Sequence, residues 1–312
     1  MALPLHGEDL TPQDQFKLGM KHVSSTGANK NIALGLSLLD QAAKTLPEAN
    51  VRLGSLYQYG IGVERDPVKA IKYYEQAIAL GDVDSKVKLA DVQAGVHREN
   101  PNPDFAKARQ SYEEAVADGV ANAYLGLGIL YFQGKGVEID YATAEKLFLE
   151  ALERGSFGAN GWLMMIYRDG KGHPRDLQKA FNYCLQAAEL GQRDSCGVVG
   201  WIYLRGQWME EAFSQPLAVQ KDLDKAIAFL IKGALKDDGF SLMALGQCYA
   251  KGWGVPQMPL KAAYWFQKAA NLGYPPLPED MHRLEACGLF TKDELANIFK
   301  EHPINVNAKY IP

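Results

Sequence analysis

The sequence predicts an all-α fold: an α/α solenoid of about seven helix-turn-helix repeats, closed by a C-terminal helical cap. Three recurrences along the 312 residues predict it. A tyrosine followed three residues later by glycine occurs at Tyr57/Gly60, Tyr131/Gly134, Tyr167/Gly170, Tyr203/Gly206 and Tyr249/Gly252. The steps from Tyr131 to Tyr167 to Tyr203 are 36 residues each. Alanines keep the same interval at Ala70, Ala108, Ala144, Ala180, Ala226 and Ala262, usually behind a lysine, and an aspartate precedes the first five by four residues. Self-similarity at a fixed period of this length marks stacked supersecondary units.

Each element of the unit has a physical reason. Leu53, Gly54 and Tyr57 share one face at helical spacing, and the glycine lets a second helix approach closely. Gly60 ends the first helix, because a left-handed residue costs glycine nothing. Asp66, Asp104, Asp140, Asp176 and Asp222 stand where an N-cap accepts the orphan amides of the second helix. Pro67 and Pro259 suit the first helical position. Ala70, Tyr73 or Tyr74, and Ala77 then form the apolar stripe, and Gly81 closes the unit. Gly60-Ile61-Gly62, ahead of a lysine-bearing helix, has the look of a phosphate-binding loop. It follows a helix instead of a strand and lacks the Gly-Lys-Ser/Thr ending, so it reads as a turn.

The period divides the chain into an N-terminal extension (1–10), seven units (11–46, 47–81, 82–119, 120–155, 156–191, 192–239 and 240–273) and a C-terminal segment (274–312). The first and third units are degenerate, with His22 and Gln93 in place of the tyrosine. The step of 46 from Ala180 to Ala226 places an insertion within 207–221. The C-terminal segment reads as two capping helices, the second opened by a Thr291/Glu294 capping box, and an extended tail.

The pattern A-x₃-LG-x₂-Y-x₂-G-x-GV-x₂-D-x₂-KA, continued by WY-x₂-AA-x₃-G, is matched best by 49–81, 123–155 and 241–273. It resembles the Sel-one-like repeat family, a branch of the tetratricopeptide-type α/α solenoids. The resemblance implies a right-handed superhelix whose first helices line a concave groove, and a binding scaffold for proteins. Departures are local: Gln207-Trp208 after Gly206, Gly233 in an alanine's place, and a longer loop at 95–104.

Composition excludes several functions. A net charge of −4 and a pI near 5.9 argue against a nucleic-acid or anionic-membrane binder. No apolar run is long enough to span a bilayer. The start lacks the charged and apolar regions of a secretory signal, so the sequence predicts a cytoplasmic protein, or an exported one if a signal has been removed. Four cysteines without Cys-x-x-Cys spacing fit a reducing compartment; Cys184 and Cys196 fall on neighbouring helices and either pair or stay free. The six histidines form no metal-binding pair, and no nucleophile elbow is present. The sequence therefore predicts no catalytic residues, no metal, no cofactor and no small-molecule substrate. An enzyme with an unrecognised site near 207–221, and an envelope-assembly factor if exported, are the other classes.

Residues off the Leu-Gly-Tyr stripe are expected to face the groove. In the middle and C-terminal units these include Phe132, Met165, Arg168, Trp201, Leu204, Arg205, Met243 and Lys251. Tight winding would instead bury some of the apolar ones. Arg168, Arg205 and Lys251 predict a basic ladder suited to a protein or peptide with acidic residues beside an apolar anchor. In the insertion, Trp208, Met209 and Phe213 either serve a partner or tuck onto the solenoid. The partner reading is that of an adaptor, or of a protein that sequesters one partner, as a bacterial immunity protein does.

Overall fold

The computed structural model describes residues 10–24, 31–96, 102–208, 219–291, 293 and 295. The described residues form helices and no strand. The chain divides into two compact units at Ala159/Asn160. The first contains α1 (Pro12–Ser24), α2 (Ile32–Ala42), α3 (Pro47–Tyr59), α4 (Pro67–Ala79), α5 (Ser85–Gln93), α6 (Phe105–Ala117), α7 (Ala121–Gln133) and α8 (Tyr141–Glu153). The second is built from α9 (Ala159–Asp169), α10 (Leu177–Glu189), α11 (Arg193–Arg205), α12 (Leu223–Ala234), α13 (Gly239–Lys251), α14 (Pro259–Ala270) and α15 (Pro278–Ala286). Within each unit odd and even helices pack as pairs, and each pair stacks on the next. Both units are α-solenoid in character, as the period predicts.

The glycine of the first helix sets each pair. A Cβ built on Gly54 would lie 2.6 Å from the Tyr74 ring, and one on Gly128 would lie 2.7 Å from Phe148. In the C-terminal unit Gly200 meets Leu230 at 2.7 Å and Gly246 meets Phe266 at 2.5 Å. Tyr74, Phe148, Leu230 and Phe266 are all at most 1% exposed. Burying such a side chain contributes about 1.5–3 kcal/mol, and the missing methyl is what admits it. Two pairs lack this glycine. Ala90 takes its place in the pair that buries Tyr112, and Met164 takes it in α9, where the second helix carries Cys184 at the corresponding position.

Every turn inside a pair is fastened by the same backbone hydrogen bond. The N–H of the N-cap residue donates to the carbonyl of the repeat tyrosine: Asp66 to Tyr57 at 2.9 Å, Asp140 to Tyr131 at 3.1 Å, Asp176 to Tyr167 at 2.9 Å, Asp222 to Tyr203 at 3.0 Å and Met258 to Tyr249 at 2.9 Å. The degenerate units keep it, from Asn31 to His22 and from Asp104 to Gln93. The aspartate side chains cap as expected, Asp66 accepting from the Lys69 N–H at 2.9 Å and Asp176 from Lys179 at 2.9 Å. Between tyrosine and cap, Gly60, Gly134, Gly170, Gly206 and Gly252 all have φ of 67–74°, the left-handed closure the sequence requires.

The repeat tyrosine itself is held from two sides. The lysine three residues past the cap lies over its ring, as Lys69 does over Tyr57 (5.0 Å) and Lys225 over Tyr203 (5.3 Å). A second ring stacks beside it, Tyr73 on Tyr57 at 5.8 Å and Tyr183 on Tyr167 at 5.6 Å. The choice between Tyr73 and Tyr74 is thereby resolved. Tyr74 enters the core and Tyr73 stacks outside it. All four cysteines are unbridged. Of the second capping segment only Thr291, Asp293 and Leu295 are described, the last two helical; Glu294 and the tail lie outside the described residues.

Two predictions follow from these contacts. Alanine for glycine inside a helix ordinarily gains about 1 kcal/mol, but overpacking costs about 1–3 kcal/mol. Gly128→Ala should therefore lower the thermal midpoint, whereas on a Phe148→Leu background the same change should be neutral or raise it. Circular-dichroism melts of the four proteins check this. Hydrogen bonds from the Lys69 and Lys225 amides hold Asp66 and Asp222 below the usual carboxylate range, and the Thr143 hydroxyl and amide do the same for Asp140. Folded-state pKa values below the unfolded ones give stability that is complete above about pH 4 and disappears as pH falls through the folded values. An Asp66→Asn/Asp140→Asn/Asp222→Asn protein should lose less stability than the parent between pH 4 and 2, measured by urea denaturation.

Candidate functional site

The residues predicted to face a groove divide into three groups. Phe132 and Leu204 are interior, 7% and 5% exposed, which corrects the expectation that they meet a partner. Each follows the stripe glycine by four residues and so points at the second helix. Phe132 packs edge-on to Tyr141 at 5.4 Å and near Phe148 at 6.4 Å; Leu204 joins a cluster with Leu230 and Leu242. Gln58 occupies the same position in α3, where it is buried and accepts from the Tyr74 hydroxyl at 2.6 Å. Trp208 is also buried, at 5% exposure, so it tucks onto the solenoid. Met209 and Phe213 lie outside the described residues.

The basic ladder does not form as three open cations. The Arg168 guanidinium meets the Asp169 carboxylate with Nε–Oδ1 at 2.7 Å and Nη2–Oδ2 at 3.3 Å. Lys251 Nζ lies 3.3 Å from Glu279 and 3.4 Å from the fully buried Asp280, both on the first turn of α15. Asp280 also accepts from Gln247 Nε2 at 2.8 Å. Lys251, expected to meet a partner, instead joins Gln247 in holding α15 onto α13. Leu284 of α15 is 1% exposed beside Phe266, on the same side of the last pair.

What remains open is one face of the C-terminal unit. Trp201 on α11, Met243 on α13 and Trp253 in the following turn are partly buried, resting on a core of Leu230, Leu242 and Leu245. Trp201 meets Phe240 edge-on at 5.6 Å. Arg205 is exposed, its guanidinium carbon 5.5 Å from the Trp201 ring centre and 5.3 Å from that of Trp253. Lys251 lies over the other cation-bearing ring, 4.6 Å from the Trp253 centre. Among the described residues Arg205 has no carboxylate partner, unlike Arg168 and Lys251. Met165 on α9 is half-buried.

Sequence reasoning missed Trp253. A signal was present. The middle residue of the Gly-x-Gly turn is Ile61, Lys135 or Lys171 elsewhere and tryptophan only at 253. From a two-glycine turn such a side chain packs on the edge of the core, and it adds a ring to the face beside Arg205.

The comparisons with known proteins agree with this architecture. The model of the Sel1 repeat matches residues 12–44, 47–82, 121–156, 161–192, 198–238 and 240–274. The third helix pair, α5 and α6, falls between matches yet keeps the pair geometry. No curated protein matches the chain. Among solved structures, a Sel1 repeat protein from Oxalobacter formigenes is 22% identical with a TM-score of 0.66, covering 86% of this chain and 100% of that one. The protective antigen c5321 of uropathogenic Escherichia coli strains, described as displaying an SLR fold, is 24% identical with a TM-score of 0.51. That match covers 88% of this chain and 64% of the antigen. At these identities the likeness is one of fold. Because the six matched segments span more than half of the sequence, the protein belongs to the Sel1 repeat family.

Proposed function

We propose that this chain is a non-enzymatic scaffold that binds a protein partner on the first-helix face of its C-terminal unit. The observation that carries the reading is the partly buried Trp201, Met243 and Trp253 surface around an Arg205 without a carboxylate. Tryptophan and arginine are the residue types that dominate interface energetics, and a half-covered aromatic surface gains most from a second desolvating partner. The repeat fold supports the same reading, because a solenoid offers extended surface and little enclosed volume.

The reactive groups support a binding role over a catalytic one. Burial pushes the Cys184 and Cys248 thiols up to about 12, which keeps them neutral and poor as nucleophiles at ordinary pH. The buried carboxylate Asp280 is already engaged by Gln247 and Lys251. We further propose a cytoplasmic location: Cys184, Cys196 and Cys248 are buried and Cys287 is exposed, and four cysteines without a bridge suit a reducing compartment.

The test joins capture to mutation. The tagged protein is used to recover its partner from native lysate, identified by mass spectrometry, and the affinity is then measured for Trp201→Ala/Arg205→Ala. The double variant should weaken binding by about 30-fold or more, the effect of losing a central anchor, while its helical circular dichroism is unchanged. Unaltered affinity would remove this face from the function.

A further inference from the structure

Arg205 and Lys251 hold equivalent positions. Each is the last residue of a first helix, two past the repeat tyrosine and one before the left-handed glycine. The chain satisfies them differently. At Lys251 it supplies its own carboxylates, Glu279 and Asp280, from the first turn of α15. At Arg205 it supplies rings instead. Phe240, at the corresponding turn of α13, packs on Trp201, and Trp253 and Trp201 both lie within about 5.5 Å of the guanidinium.

A cation held over a ring is attracted by the ring's quadrupole, so these contacts give the five guanidinium N–H donors no carboxylate acceptor. The N–H edge of a guanidinium matches a planar carboxylate in two parallel hydrogen bonds. Two ring contacts hold the guanidinium in place, so little side-chain freedom is lost when an anion arrives. One uncompensated cation balances one carboxylate. A phosphate dianion or a nucleic-acid backbone would need several, and Lys251, which shares the Trp253 ring with Arg205, is already paired with carboxylates.

We propose that Arg205 is the receptor for a single aspartate or glutamate side chain of a protein partner, with the partner's adjoining apolar residues resting on Trp201 and Met243. This rests on the protein-binding reading above and specifies its chemistry. The exposed guanidinium between partly buried rings suits a side chain from a segment that passes over the face, and the protein already uses side-chain carboxylates, Glu279 and Asp280, for the equivalent cation.

The test uses two peptides blocked at both ends, Ac-Ala-Leu-Glu-Leu-Ala-NH2 and its glutamine counterpart, titrated into the full chain. Chemical-shift changes of the Trp201 and Trp253 indole N–H groups report binding. The glutamate peptide should give saturable shifts, and the glutamine peptide should bind tenfold or more weakly. Arg205→Gln should abolish the difference between the peptides, while Arg205→Lys should restore part of it. Equal affinity of the two peptides, a difference that survives Arg205→Gln, or no saturable shift with either peptide would overturn the assignment. A lysate partner released by Trp201→Ala but retained by Arg205→Gln would preserve the scaffold reading while removing this one.

Discussion

The approach of one helix to a backbone almost bare of side chains governs this molecule. Where Gly54, Gly128 or Gly246 presents only its α-carbon, a ring from the next helix, twenty residues on, descends into the space and is fully buried. The helix crossing is thereby set by a steric fit at one point, not by a long seam of interdigitating leucines. Pairs without this glycine fill the locus with other residues. Ala90 stands in its place in the pair of the buried Tyr112, and Met164 and Cys184 hold the corresponding positions of α9 and α10. A close-packed interior makes the volume at such a locus costly to change.

That constraint explains why the architecture was legible in the sequence and the binding face only partly so. Gly60, Asp66 and Ala70 each have a backbone reason for their identity, and such reasons recur at every period. Phe132 and Leu204 carry no such mark, because an apolar residue beside the repeat tyrosine suits either an interior or an interface. Their fate is fixed by lying four residues after the stripe glycine, a relation visible in Gly54 and Gln58 once the glycine, and not the tyrosine, is taken as the frame. Lys251 was illegible for another reason. Its partners, Glu279 and Asp280, come from a non-repeat helix whose docking no internal period encodes.

Electrostatics on this face follows from how the end of the array is finished. Burying Asp280 costs desolvation energy, offset here by Gln247 and Lys251, so α13 and α15 share a fixed polar contact where α11 and α13 share the Trp201–Phe240 ring pair. The same arrangement removes Lys251 from the open surface and leaves the positive character of the face to Arg205. The finishing of the core and the character of the binding surface are thus coupled through one lysine.

The backbone bond that fastens each turn has a further consequence for engineering. Asp222 and Tyr203 are joined at 3.0 Å although the chain between them is longer than in any sister unit. Two anchored stems with added chain length between them form a splice port. A foreign epitope or a small reporter inserted there would add only a slowly growing loop-closure cost, and the stacked pairs would not register the cargo.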